Sequence, residues 1–140
     1  MLFRGWTDAA PTWELIVPVP QVQPYQPGEF YRRELPCLLA LLEGAARLHT
    51  LDAVVIDGYV TLDAGGRTGL GAHLFAALNR QIPVIESANS SHRRGENGVS
   101  GFGPCPGRDA CGSLNPLFVT AAGTDVAQAT AQTAWMAGDR

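Results

Sequence analysis

Leu51-Asp52-Ala53-Val54-Val55-Ile56-Asp57-Gly58 is an apolar run broken only by Asp52 and closed by an acid and a glycine. A run of that length, bounded by a turn signal, suits a strand buried on both faces and lying centrally in a sheet. Upstream, Leu35, Leu38, Leu39, Leu41, Leu42, Ala45 and Ala46 recur at helical spacing. They predict a helix from about Pro36 to Arg47, with Pro36 tolerated in its first turn and room for an earlier turn from Glu29. Downstream, a glycine-rich turn (Gly65, Gly66, Gly69, Gly71) leads to a helix over His73–Asn79, then a short strand over Pro83–Ile85. Leu117–Ala121 reads as a further buried strand, and Thr124 as the cap of an Ala-rich helix ending near Ala137. Trp13–Val19 is rich in β-branched residues, but the prolines at 18, 20, 24 and 27 confine it to an edge strand running into an extended loop. Alternation of helices and strands implies an α/β domain with a mostly parallel sheet.

The chain has 140 residues, enough for one domain and one core. With 46% apolar and 16% charged residues it is too apolar for a disordered chain. A formal net charge of −3 leaves no global positive field, so contact with nucleic acid would have to be local. All ten cationic side chains are Arg, which excludes chemistry that needs a Lys of this chain. Three cysteines, Cys37, Cys105 and Cys111, with no basic-then-apolar leader at Met1, point to a reducing cytoplasm. No apolar run approaches the roughly 20 residues of a membrane span. The segment 87–113 has neither helical nor strand period and reads as an irregular or disordered loop. His92, Cys105 and Cys111 in it lack the short spacing of a usual zinc pair.

Two acids stand where chemistry is possible. Asp57, at the carboxyl tip of a strand, faces the crevice in which open α/β sheets bind ligands. Glu34 stands near a helix start, and two converging carboxylates suit a hard cation such as Mg²⁺ that also takes phosphate oxygens and water. The same residues fit a plain turn and a plain helix-dipole partner, and spacing alone leaves both readings open.

Three motifs carry a family resemblance. Pro24-Tyr25-Gln26-Pro27-Gly28-Glu29-Phe30-Tyr31-Arg32-Arg33-Glu34-Leu35-Pro36 resembles the Pro-Tyr-x-Pro-Gly, Phe, Arg-Glu, Pro signature of the endonuclease V family. Val55-Ile56-Asp57-Gly58 resembles that family's Val-Asp-Gly strand end, and Gly69-Leu70-Gly71-Ala72-His73-Leu74 its Gly-Leu-x-x-His-Leu element. Pro116–Gly123 looks like the strand before the family's late helix. The resemblance covers about Trp13–Ile85 and Leu114–Ala137.

It implies an RNase H-like mixed sheet with flanking helices, and a DNA-repair nuclease that cuts DNA or RNA near inosine with Mg²⁺, or Mn²⁺ in its place. Glu34 and Asp57 would be catalytic carboxylates and metal ligands. Tyr25, Gln26, Pro27 and Gly28 would form a wedge that enters the nucleic acid, His73 would line its base or strand pocket, and Arg33, with Arg32, would meet phosphates. The expected protein is a cytoplasmic monomer with no membrane partner.

Relative to the family, the chain is expected to be shortened at both ends, with an incomplete first strand hairpin that lacks an Asp ligand. The turn-like Asp8 is not assigned to that role. Asn89 stands where the family has Lys, and Glu86 beside it is expected to repel phosphate. The family's C-terminal His has no counterpart before Arg140. Removal of one preorganised contributor typically costs about 10²–10³ in rate, so a nucleic-acid-binding remnant that does not cleave is the alternative.

Overall fold

A computed structural model of the chain describes residues 1–19, 21–46, 50–57, 67–89, 103–104 and 117–137. Its elements are α1 (Phe30–Ala46), β1 (Val54–Ile56), α2 (Leu70–Ala77), β2 (Val84–Asn89), β3 (Gly103–Pro104), β4 (Leu117–Ala122) and α3 (Val126–Ala137). This is a mixed α/β architecture. Among the described residues the sheet order is β1-β2-β4-β3. β1 and β2 are parallel, in register Val54↔Val84, Val55↔Ile85 and Ile56↔Glu86. β4 runs antiparallel to β2, with Glu86↔Thr120, and to β3.

The alternation of side chains across a strand divides the core in two. On one face Val54 and Val84 pack with Leu74 of α2 and with Leu35, Leu38, Leu39 and Leu42 of α1. On the other, Ile85 and Val119 pack against Ala129 of α3. Glu86 and Thr120, two residues along from Val84 and Ala122, therefore lie on the α2 side of the sheet.

Several expectations need correction. β1 ends the order of described strands and is not central; Val54 is buried, but Val55 is 37% exposed. The sheet is not mostly parallel among the described residues, because β4 runs antiparallel to both of its neighbours, β2 and β3. α1 begins at Phe30, which places Pro36 inside the helix and not in its first turn. The missing amide leaves that turn short of one backbone bond, a cost the apolar contacts of Leu35 and Leu38 offset. α2 begins three residues before His73, at Leu70.

Trp13–Val19 is not an edge strand. Its only pairing among the described residues is an antiparallel bridge from Trp13 to Leu2. Its alternation arises because Leu15 and Val17 pack over Gly44 of α1, whose Cβ position is 3.3 Å from Leu15 Cδ2, while Ile16 is 91% exposed. Asp8, as read from sequence, closes a turn: its Oδ2 accepts from the amides of Arg4 (3.0 Å) and Gly5 (3.1 Å). In the irregular segment 87–113, Ser87–Asn89 belong to β2 and 103–104 to β3. His92, Cys105 and Cys111 lie outside the described residues, as does Gly58.

The cap of α3 is Asp125 and not Thr124. Asp125 Oδ1 accepts from the amides of Ala127 (2.9 Å) and Gln128 (3.2 Å), whereas Thr124 Oγ1 donates to the Gln128 side chain. Asp125→Ala is expected to cost about 1 kcal/mol in urea unfolding. Thr124→Ala should shift the midpoint much less.

No helix among the described residues is long and apolar enough to cross a membrane.

Candidate functional site

The turn before α1 holds the first set of predicted residues. Glu29 donates its amide to the Gln26 carbonyl (3.0 Å), and Gly28 has φ +82°. Pro27 and Gly28 are thus the central pair of a type II turn, where a fixed φ is followed by a left-handed one. Tyr25, just before it, is 59% exposed. An aromatic ring on a stiff turn loses little freedom when it stacks on another ring.

From that turn α1 carries Tyr31, Arg33 and Glu34. Tyr31 stacks on His73 of α2, with ring centroids 3.7 Å apart and planes 13° from parallel. His73 Nε2 is 3.2 Å from Thr68 Oγ1, so the imidazole is fixed both on its face and at its edge. Arg33 Nε lies 3.5 Å from Glu34 Oε1, a half-exposed pair between neighbours that contributes little to stability. Leu38, Leu41 and Leu42 line one groove with Val54, Val55 and Ile56. Glu34, one turn before Leu38, continues that face of α1.

Asp57 follows β1 directly and is exposed at the strand's carboxyl tip, as the sequence predicts. Its acidic neighbour across the sheet is Glu86, which pairs in register with the preceding Ile56. Adjacent strands lie about 4.8 Å apart and rise about 3.3 Å per residue, so the two Cα atoms are separated by roughly 6 Å. Among the described residues, no three His, Cys, Asp or Glu side chains converge as a metal set. A pair of carboxylates is nevertheless a sufficient protein contribution for Mg²⁺, which keeps several waters and takes phosphate oxygens.

Glu86 is the site residue that sequence reading misjudged. It is completely buried, and its carboxyl lies against the first turn of α2, where a Cβ on Gly71 would come within 2.5 Å of Oε1. Thr120 Oγ1 donates to Oε2 at 3.5 Å. Oε1 has no hydrogen-bond partner among the described residues. Burial pushes the Glu86 carboxyl up to about 8, opposed by the Gly71 amide and Thr120 and reinforced by the charge of Asp57. At neutral pH it is therefore mainly uncharged, and the expected repulsion of phosphate is largely removed. The available signal was Gly71 itself: a second glycine just inside a helix start marks a close approach by another group.

No protein-family model matches this chain, and no curated protein matches it. A separate groove lined by Phe3, Trp6, Trp13, Val55 and Met136 lies between the N-terminal segment, β1 and α3. Its ionisable side chains are Arg4 and Asp52, and none of the predicted site residues lines it.

Proposed function

We propose that the chain is an endonuclease V-like hydrolase with an RNase H-like fold, cutting inosine-containing DNA or RNA with Mg²⁺ or Mn²⁺. The observation that carries this reading is Asp57, exposed at the carboxyl end of β1 beside a parallel neighbour, with the motif-bearing start of α1 on the same side of the sheet as α2. Glu34 and Asp57 are the catalytic carboxylates and would hold the metal, which supplies charge neutralisation on the phosphodiester and an activated water.

The remaining roles follow from exposure and rigidity. Tyr25, on the turn made by Gln26, Pro27 and Gly28, stacks against an unpaired base, a contact worth roughly 1–3 kcal/mol. Arg33 leaves a half-exposed intramolecular partner for a phosphate. His73, held by Tyr31 and Thr68, lines the strand pocket with a fixed ring plane.

Incubation with an inosine-bearing duplex and Mg²⁺ or Mn²⁺ is expected to give cleavage, reduced at least about 10²-fold by Asp57→Asn. Cutting that survives this substitution would sink the assignment. The solvent-facing Tyr25 turn favours a second reading, inosine-dependent binding without cleavage, because that surface needs no metal. Equal indifference to inosine-bearing and inosine-free strands would remove both.

A further inference from the structure

We propose that the groove between the N-terminal segment, β1 and α3 is a small-molecule site, taking a planar aromatic compound that carries one anionic group and an N–H donor. None of the residues assigned to the nuclease reading lines it, so the two stand or fall separately. Its volume of about 710 Å³ lies within the ~300–1,000 Å³ typical of ligand pockets. Three observations carry the assignment. First, the sheet is left uncovered here. Val55 pairs in register with Ile85, so both side chains lie on the α3 side, yet Ile85 is completely buried and Val55 is exposed. Trp6 packs against the cluster of Ile85, Val119 and Ala129 and also lines the groove, which therefore opens directly onto that core. Phe3 and Trp13, both exposed, complete an aromatic lining suited to stacking or edge contacts with a ring.

Second, the wall that carries these rings is pinned. Leu2 donates its amide to the Trp13 carbonyl (2.8 Å), and its own carbonyl accepts from Thr12 (2.7 Å) and Trp13 (3.3 Å), which closes 2–13 into an Ω-loop. Within that loop Asp8 holds the amides of Arg4 and Gly5. A wall ordered before the ligand arrives loses little entropy on binding. Third, the charges fit one ligand class. Arg4 and Asp52 are the ionisable side chains of the lining, both are exposed, and neither side chain has an ion-pair or hydrogen-bond partner among the described residues. They come from different segments, the loop and the bend before β1. A ring seated among the aromatics can present an anion to Arg4 and an N–H to Asp52 through charge-assisted hydrogen bonds. An aliphatic occupant would leave both charges unmatched.

The test titrates the isotope-labelled full chain with anilinonaphthalene sulfonate, which has the ring system, one sulfonate and one N–H, and with phenylnaphthylamine, which lacks the sulfonate. The indole N–H resonances of Trp6 and Trp13 and the amides of Gly5 and Val55 are expected to shift to saturation. The indole of Trp135, exposed but outside the lining, is expected to stay in place. The sulfonate should tighten binding about 10-fold, and Arg4→Gln should remove that advantage. The wild-type shifts depend on no variant folding. Equal wild-type affinity for the two compounds overturns the proposal. So do shifts that reach Trp135, Ile16 and Tyr25 alike, which mark unspecific contact with exposed apolar side chains. A dimer in sedimentation, with Trp6 and Trp13 shifting on dilution and not on addition of the probe, would assign the groove to a second copy of the chain and overturn it as well.

Discussion

Glu86→Gln is expected to stabilise the metal-free protein, increasingly so as pH rises from 4.5 to about 8. The carboxyl has an ordinary value of 4.5 and is held up to about 8 in the fold, chiefly by burial. Between those values the folded chain keeps a proton that the unfolded chain has released, so unfolding releases that proton and stability falls with rising pH. The favourable contribution of the protonated side chain is complete below 4.5 and lost as pH passes 8. Each pH unit of displacement corresponds to about 1.4 kcal/mol, so the loss across the window is on the order of 5 kcal/mol. Gln fills the same space, can accept from Thr120, and does not titrate. Urea midpoints in EDTA at pH 5, 6, 7 and 8 should therefore diverge, with the variant flat and the wild type falling. Parallel profiles would show that the carboxyl is hydrated in solution and not buried under α2.

How far the sequence reveals this arrangement depends on what each signal measures. The apolar spacing of Leu35, Leu38, Leu39 and Leu42 reports one buried helix face, and α1 buries that face on Val54 and Val84. The run ending at Asp57 reports a strand, and the strand is there. Its neighbours were not legible, because an apolar run does not distinguish a central strand from one whose outer face lines a groove, as Val55 does. Leu15, Ile16 and Val17 mislead for a related reason: alternation appears wherever an extended segment packs one side on something, and here that something is Gly44. Thr124 and Asp125 are both good caps, and only the hydrogen-bond geometry separates them.

The site divides in the same way. Tyr25, Pro27 and Gly28 were legible because a Pro-Gly pair specifies a turn through local backbone preferences alone. Asp57 was legible from its place after a strand. Glu86 was not, since its importance comes from two distant partners, Gly71 on α2 and Thr120 on β4. Tyr31 was likewise missed as a partner of His73, because a stack between helices leaves no mark at sequence spacing.

Gly123 offers the sharpest contrast between backbone strain and crowding. It follows β4 with φ +84°, and a Cβ there would fall 2.7 Å from Cζ of Phe75 on α2. Gly28 has almost the same dihedral, φ +82°, but a Cβ at that position would meet nothing within 4 Å. Gly28→Ala should therefore cost only the left-handed penalty of an L-residue, about 1–2 kcal/mol. Gly123→Ala adds the displacement of a ring in contact with Leu74, Val84 and their neighbours, a further 1–3 kcal/mol or so. The second variant is expected to lose about 3 kcal/mol in urea unfolding and the first about half of that. If the two midpoints move equally, Phe75 yields without cost, and α2 is not pressed against the turn between β4 and α3. That outcome would also weaken the argument for Glu86, because the same helix confines its carboxyl through Gly71.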